Sequence, residues 1–164
     1  MKKIATAITS AVMVFGITGV GASLLSLTGS DTAPGSAKTE AACVEGSLVV
    51  TNPVETGYEH GHTVNYVTVA GDMTACNGQT MLVEVTIDGT PSLAYGVYEF
   101  TTSDVTSLVF GFADATDPDA TFTDTAPTVV DGGLVVAGDE VEPVKAKEYG
   151  QTDITIAQTW GETS

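Results

Sequence analysis

The feature that most constrains the fold is a strict two-residue alternation in residues 81–87. Apolar side chains occupy every second position, namely Met81, Val83, Val85 and Ile87. This is the period of a β-strand that turns one face to a core and the other, with Glu84, to water. Residues 88–91, Asp-Gly-Thr-Pro, then lead into a second β-rich run at 93–101, so the sequence predicts a β-hairpin.

Similar short runs recur along the rest of the chain. They cover residues 47–51, 63–70, 108–112, 128–130, 134–136 and 154–160. Asp131-Gly132-Gly133 predicts a further hairpin between two of these runs. The apolar phase of residues 93–101 switches close to Gly96, which predicts a β-bulge there. Trp160, in phase with Ile154 and Ile156, is expected to join the core.

No run has the apolar period of an amphipathic helix. About eight short strands separated by Gly, Asp and Pro turns are typical of a β-sandwich or barrel. The sequence therefore predicts an all-β protein, a β-sandwich of about eight strands of the Greek-key or jelly-roll type with one disulfide.

The N-terminus has the order of charges and apolar residues of a signal peptide. Lys2 and Lys3 precede an apolar stretch at residues 4–20, and no acidic residue comes before Asp31. A retained membrane anchor is the alternative, but Thr, Ser and Gly interrupt the apolar stretch. We expect a secreted or cell-surface protein of a bacterium, cleaved after Ala22. The other cleavage sites that fit are Ala37, Ala41 and Ala42.

This expectation divides the chain into three parts. Residues 1–22 form the signal peptide, residues 23–42 a flexible N-terminal segment, and residues 43–164 the β-sandwich domain. Residues 28–41 lack any large apolar side chain, so their composition favours a linker.

Cys43 and Cys76 are the only cysteines. An even number of cysteines in an exported chain indicates a disulfide. The bond would close a loop of about 30 residues and stabilise the fold by about 3 to 4 kcal/mol in the chain-entropy model.

The charge of the chain is strongly negative. The formal net charge is −16, there is no arginine, and Lys145 and Lys147 are the only cations after Ala42. Such a surface repels nucleic-acid phosphates and anionic lipid heads, so we expect no nucleic-acid partner and no membrane contact after cleavage. Solubility, cation binding and tolerance of salt remain as interpretations of the acidity.

Two groups of residues have the chemistry of metal ligands. His60 and His62 form a His-x-His pair that would suit Cu²⁺ or Zn²⁺ on a strand, although the glycine between them favours an exposed loop. Hard oxygen ligands for Ca²⁺ come from an acidic loop that contains Asp114, Asp117, Asp119 and Asp124. The alternative for this loop is a solvated acidic turn.

Catalytic machinery is not apparent. Both histidines sit together in a Gly-containing segment, and both cysteines are expected to be oxidised, which disfavours Ser or Cys nucleophiles. Spacing leaves paired-carboxylate hydrolysis open, but one tryptophan gives little sugar-stacking surface. We therefore expect a protein that is not an enzyme and has no cofactor, with bound Ca²⁺ as the alternative.

Part of the sequence resembles small secreted β-sandwich proteins of actinobacteria. The resemblance rests on Cys43 before the first strand and on residues 56–58 (Thr-Gly-Tyr), 64–71 (Val-Asn-Tyr-Val-Thr-Val-Ala-Gly), 76–80 (Cys-Asn-Gly-Gln-Thr) and 83–86 (Val-Glu-Val-Thr). More loosely, a leader followed by a β-sandwich is similar to camelysin and TasA-type surface and biofilm-matrix proteins. That similarity implies subunits joined by donation of an N-terminal strand.

The N-terminal segment supplies a candidate for such a strand. Cleavage after Ala22 would leave Leu24, Leu25 and Leu27 as an apolar arm at the start of the mature chain. This arm stands where TasA-type proteins carry an aromatic-rich motif. The leading hypothesis is a secreted, non-enzymatic structural protein that forms a homo-oligomer, filament or matrix. The alternative is an extracellular binding module or adhesin stabilised by calcium or a transition metal.

Overall fold

The computed structural model describes residues 24–25, 37–41, 43–52, 54–57 and 61–160. The predicted signal peptide, residues 1–22, lies outside this part of the chain. The described residues form an all-β protein in which the only helical element is a 3₁₀ turn at Thr74–Cys76. The all-β class is thus confirmed.

The strands are more numerous than the sequence predicts. In chain order they are β1 (Leu24–Leu25), β2 (Ala37–Ala41), β3 (Glu45–Thr51), β4 (Val54–Gly57), β5 (Gly61–Val64), β6 (Tyr66–Asp72), β7 (Thr80–Ile87), β8 (Leu93–Glu99), β9 (Ser107–Gly111), β10 (Ala120–Thr121), β11 (Thr128–Val130), β12 (Gly133–Val135), β13 (Val144–Lys145) and β14 (Tyr149–Ala157). The run predicted at residues 63–70 is divided by Asn65 into β5 and β6.

Two principal sheets organise the domain. One has five strands in the order β1-β2-β14-β7-β8, and the other has four in the order β10-β9-β6-β3. A three-stranded sheet, β13-β5-β4, and the hairpin β11-β12 complete the described strands. The strand pairs are nested in sequence. The β7–β8 hairpin lies between β6 and β9 along the chain, and the β6–β9 pair lies between β5 and β13.

A single hydrophobic core receives side chains from both principal sheets. The alternation in β7 is confirmed, since Met81, Val83 and Val85 are fully buried. The opposite sheet contributes Val67, Val69, Leu108 and Phe110 to the same cluster. Two sheets around one core are what the sandwich prediction requires.

The two hairpins predicted from turn residues are confirmed. Strands β7 and β8 pair antiparallel from Thr80↔Glu99 to Thr86↔Leu93. Strands β11 and β12 pair around Asp131 (φ 51°) and Gly132 (φ 81°). Two successive residues with positive φ are the requirement of a type I′ hairpin turn, and Asp-Gly satisfies it at little cost.

The predicted β-bulge at Gly96 is wrong. The β7–β8 register runs through Gly96 without a shift. Ala94 and Gly96 are the buried positions, and Leu93, Tyr95 and Val97 lie on the half-buried outer face. A β-carbon at Gly96 would lie 2.6 Å from Phe110 Cδ1, so the inner face has small residues because the aromatic rings of the other layer fill that space.

The predicted disulfide is confirmed. Cys43 and Cys76 are bonded, with their Cα atoms 5.0 Å apart and a sequence separation of 33. Both side chains belong to the hydrophobic core. The bond therefore holds the start of the domain, directly after β2, to the 3₁₀ turn that precedes β7.

Trp160 does not extend the final strand into the core. Strand β14 ends at Ala157, and Trp160 is half-buried beyond it. Its backbone N–H donates to the carbonyl of Gly132, 2.8 Å away, which ties the end of the chain to the β11–β12 turn. Its indole Nε1 is buried without a hydrogen-bond partner in the described part of the chain.

Candidate functional site

The edge of the five-stranded sheet is built from the N-terminal segment. Strand β2 runs parallel to β14, in a register that extends from Ala37↔Thr152 to Ala41↔Ile156. Strand β1 adds outside β2, with Leu24 opposite Glu40 and Leu25 opposite Thr39. Two of the three leucines predicted as an assembly segment are therefore part of a strand, whereas Leu27 lies outside the described residues.

Residues 37–41 form a strand, although their composition favours a linker. Their sequence, Ala-Lys-Thr-Glu-Ala, offers no large apolar side chain. A sheet edge, however, presents unpaired N–H and C=O groups that bind any extended segment through its backbone. Because this pairing needs no apolar side chain, composition alone does not reveal it.

Cys43 marks the boundary between this edge and the rest of the domain. Strand β2 ends at Ala41, two residues before the disulfide that fixes Cys43 in the core. On its other side β14 pairs antiparallel with β7 over Thr80–Ile87. Removal of β1 and β2 would therefore leave the disulfide and the β14–β7 pair in place and expose β14 as the sheet edge.

A row of charged residues crosses the outer face of this sheet beside β2. Asp153 in β14 is the register partner of Glu84 in β7 and of Lys38 in β2. Tyr95 in β8 continues the row beyond Glu84. Gln151 Nε2 donates a hydrogen bond to Asp153 Oδ1. Two carboxylates thus face each other on neighbouring strands, an arrangement that is destabilising unless a cation offsets it.

The pKa of Glu84 reflects this environment. Burial raises the pKa of Glu84 above its ordinary value, and the negative charge of Asp153 raises it further. The alternation in β7 predicts Glu84 on the wet face of the strand, and the side chain is half-buried there. Its pairing with Asp153 cannot be predicted, because the sequence does not show which strand lies beside β7.

We expect Glu84→Gln to raise the free energy of unfolding at pH 7 by about 0.2–1 kcal/mol, because it removes one of two facing like charges. Since the folded-state pKa is raised, the ionised form is penalised only above the ordinary value of 4.5. The gain should therefore disappear below that pH, where Glu84 is protonated in the folded and the unfolded chain. Urea denaturation at pH 7 and at pH 4 measures both values.

Glu99→Gln is the matched control for this measurement, because Glu99 is exposed and lies opposite Thr80 rather than a carboxylate. A gain at pH 7 of the same size in both variants would mean that the net negative charge, and not the Glu84–Asp153 pair, is responsible.

The acidic loop predicted as a calcium site uses two of its carboxylates within the fold. Asp119 Oδ2 accepts a hydrogen bond from the Val109 N–H at 2.7 Å. Asp124 Oδ1 accepts from the Asp139 N–H at 3.1 Å and from Thr125 Oγ1 at 3.0 Å. These bonds attach the loop to β9 and to the segment after β12.

The other two carboxylates of the loop lie at turns. Asp114 and Asp117 are exposed and have positive φ angles of 64° and 45°. Aspartate is among the few residues other than glycine that adopt this conformation readily. Among the described residues, no three His, Cys, Asp or Glu side chains are grouped so that they could hold a metal ion. Calcium binding by this loop stays a prediction.

The histidine pair is described only in part. His62 is exposed in β5, and its carbonyl accepts a hydrogen bond from the Ala146 N–H at 2.9 Å. His60 lies outside the described residues, so the transition-metal prediction also stays a prediction.

A cleft opens between the β7–β8 turn and the segment that leads to β14. It has a volume of about 240 Å³ and a partly apolar lining that includes Ile87, Val141 and Val144. Carboxylates also line it, from Asp124, Glu140, Glu142 and Glu148. Glu148 lies 3.6 Å from Lys145 Nζ. Apolar walls with several carboxylates suit a cationic group rather than an anion.

A second feature is an exposed apolar hairpin. Val129, Val130 and Val135 of β11–β12 and the adjacent Val136 expose 38–51% of their surface. A two-stranded hairpin has little stability of its own in water. Here the Trp160–Gly132 hydrogen bond attaches it to the chain after β14.

No protein-family model, curated protein or solved structure matches the chain. In the described part of the chain, no helix has the length and apolar character needed to cross a membrane. The functional proposal therefore rests on the geometry of the sheet edge and on the sequence.

Proposed function

We propose that the protein is an exported, non-enzymatic structural subunit of a bacterial cell surface or extracellular matrix, which self-associates by exchanging its N-terminal segment between neighbouring chains. The observation that carries the proposal is that the N-terminal strands β1 and β2 form one side of the five-stranded sheet, next to β14 and just before the anchored Cys43. An equivalent strand from a second copy can make the same backbone hydrogen bonds to β14.

Two further features support this proposal. Residues 1–22 have the sequence of a secretory signal. The disulfide is of the kind that persists in oxidising compartments outside the cytosol. The acidity of the chain is also consistent with this proposal. Like charges oppose nonspecific association between chains, so that strand exchange is the specific contact.

Cross-linking between separate chains tests the exchange. Glu40 and Thr155 are register partners in the β2–β14 pair. We expect a mixture of a Glu40→Cys chain and a Thr155→Cys chain, oxidised after the Cys43–Cys76 bond has formed, to give a covalent heterodimer, because the strand of one chain pairs with β14 of the other. Each variant oxidised alone is the control for random thiol coupling. A mixture that gives no more heterodimer than this control contradicts the proposal.

Size-exclusion chromatography and electron microscopy of the secreted chain give a second readout of the same prediction. The chain without residues 23–41 should be monomeric, whereas the complete chain should form larger species. A variant with Val129→Thr and Val130→Thr keeps β-branched residues in the exposed hairpin and should assemble normally. Loss of assembly in this variant alone would assign the contact to the hairpin instead.

The acidic cleft favours a second candidate function, an extracellular binding module for a cationic group. The supporting observation is that four acidic residues line the cleft together with apolar side chains. A complete chain that is strictly monomeric would leave this candidate as the one to pursue, by its change in melting temperature with cationic ligands.

A further inference from the structure

The pairing of β2 with β14 needs something other than apolar packing to fix its register. Positions 37, 39 and 41 are in register with the buried residues Thr152, Ile154 and Ile156 of β14. These three positions are Ala, Thr and Ala. If β2 slipped along β14 by one residue, its side chains would change faces of the sheet. A slip by two residues would keep each side chain on its face, with small residues again on the inner face.

Charge distinguishes the registers that packing leaves nearly equivalent. In the observed register Lys38 lies opposite Asp153, which in turn lies opposite Glu84. A slip of two residues in one direction would bring Glu40 opposite Asp153 and place three carboxylates in a row. A slip in the other direction would bring Ser36 opposite Asp153 and leave the two carboxylates without a cation.

We propose that the positive charge at position 38, which the register places opposite Asp153 and in line with Glu84, sets the register in which β2 joins β14 and so makes this edge selective for the protein's own N-terminal strand. The inference rests on the proposed function where the strand comes from a neighbouring chain; in a strand of the same chain the charge acts together with the anchor at Cys43. Lys38 is the only cationic residue, histidines aside, between Lys3 and Lys145. No other part of that stretch can present a permanent positive charge to the carboxylate pair.

The environment of the pair strengthens the selection. Glu84 and Asp153 are half-buried on the outer sheet face, where water screens their repulsion less than at a fully exposed position. The raised pKa of Glu84 agrees with this crowding. A cation at position 38 is therefore favoured, and a carboxylate at that position is opposed.

Two disulfide reporters within one chain test the register. Glu40→Cys with Thr155→Cys reports the observed register, and Glu40→Cys with Ala157→Cys reports the register slipped by two residues. We expect the first cross-link to form faster in the otherwise unchanged chain. Lys38→Glu should lower the ratio of the two cross-linking rates roughly five-fold or more, since it replaces an attraction by a repulsion across the strands. Adding Asp153→Lys to Lys38→Glu should restore the ratio.

Lys147→Glu is the matched control, because it makes the same charge change at an exposed position outside β2 and β14 and should leave the ratio unchanged. A ratio that Lys38→Glu does not alter, or that Asp153→Lys does not restore, overturns the inference. Circular dichroism of each variant checks that the domain is folded. Absence of cross-links between separate chains, with a charge-dependent ratio within one chain, would reject strand exchange and retain the register rule.

Discussion

Replacing Cys43 and Cys76 together by alanine is expected to lower the free energy of unfolding by about 3 to 4 kcal/mol. The bond closes a 33-residue separation and restricts the unfolded chain, so its loss stabilises the unfolded state. This is a large fraction of the stability of a small domain, which is typically about 5–15 kcal/mol. Urea denaturation at pH 7 without reductant measures the difference.

The unchanged protein in reductant is the control for this prediction. Reductant should destabilise it to a similar degree and should not affect the double alanine variant, which has no thiol left to reduce. A loss below about 1 kcal/mol in the variant would show that residues 43–76 are already constrained in the unfolded chain.

Phe122→Ala is expected to lower the free energy of unfolding by about 3–5 kcal/mol, because it opens a cavity at the centre of the core. Phe122 is fully buried, and its ring stacks on Phe112 with 4.6 Å between ring centroids. Its ring also lies 6.0 Å from that of Phe110. Chemical denaturation with fluorescence or circular dichroism detection measures the loss.

Val130→Ala is the control, since Val130 is 51% exposed on the β11–β12 hairpin and should change stability by no more than about 0.5 kcal/mol. Similar losses in the two variants would mean that the three phenylalanines do not form the tight centre of the core.

The parts of the fold that follow from local pattern could be predicted from the sequence. The alternation in β7 and the turn residues between β11 and β12 determine two hairpins within short stretches of chain. The disulfide could be predicted from an even number of cysteines behind an N-terminus that has the pattern of a signal peptide. Strand order could not be predicted, because β14 lies beside β7 through pairs such as Ile154↔Val83 that are far apart in sequence.

Two differences between expectation and structure have a common physical origin. Large apolar side chains predict a bulge at Gly96, whereas the inner face of β8 carries Ala94 and Gly96 and so admits the ring of Phe110. The lack of such side chains in residues 37–41 favours a linker, whereas β2 pairs with β14 through its backbone. In both places size and hydrophobicity were misleading, because the neighbouring element determines what fits.

The candidate site could also be predicted only in part. The sequence predicts an assembly role for Leu24, Leu25 and the N-terminal segment. It also shows how few cations the chain has. It cannot show that Lys38, Asp153 and Glu84 occupy one row, because that row depends on the registers of two separate strand pairs.

The nested pairing of the strands has a consequence for how the protein reaches its folded state. Strand β5 can pair with β13 only after the intervening chain has been brought together. Strands β7 and β2 likewise pair with β14, which is the last of the described strands. Folds dominated by such distant pairings form slowly, because the entropy of closing the long loops is lost before the stabilising contacts form. During that interval the strand edges are open to aggregation. The mutual repulsion of chains with a net charge of −16 opposes this aggregation while the protein is still unfolded.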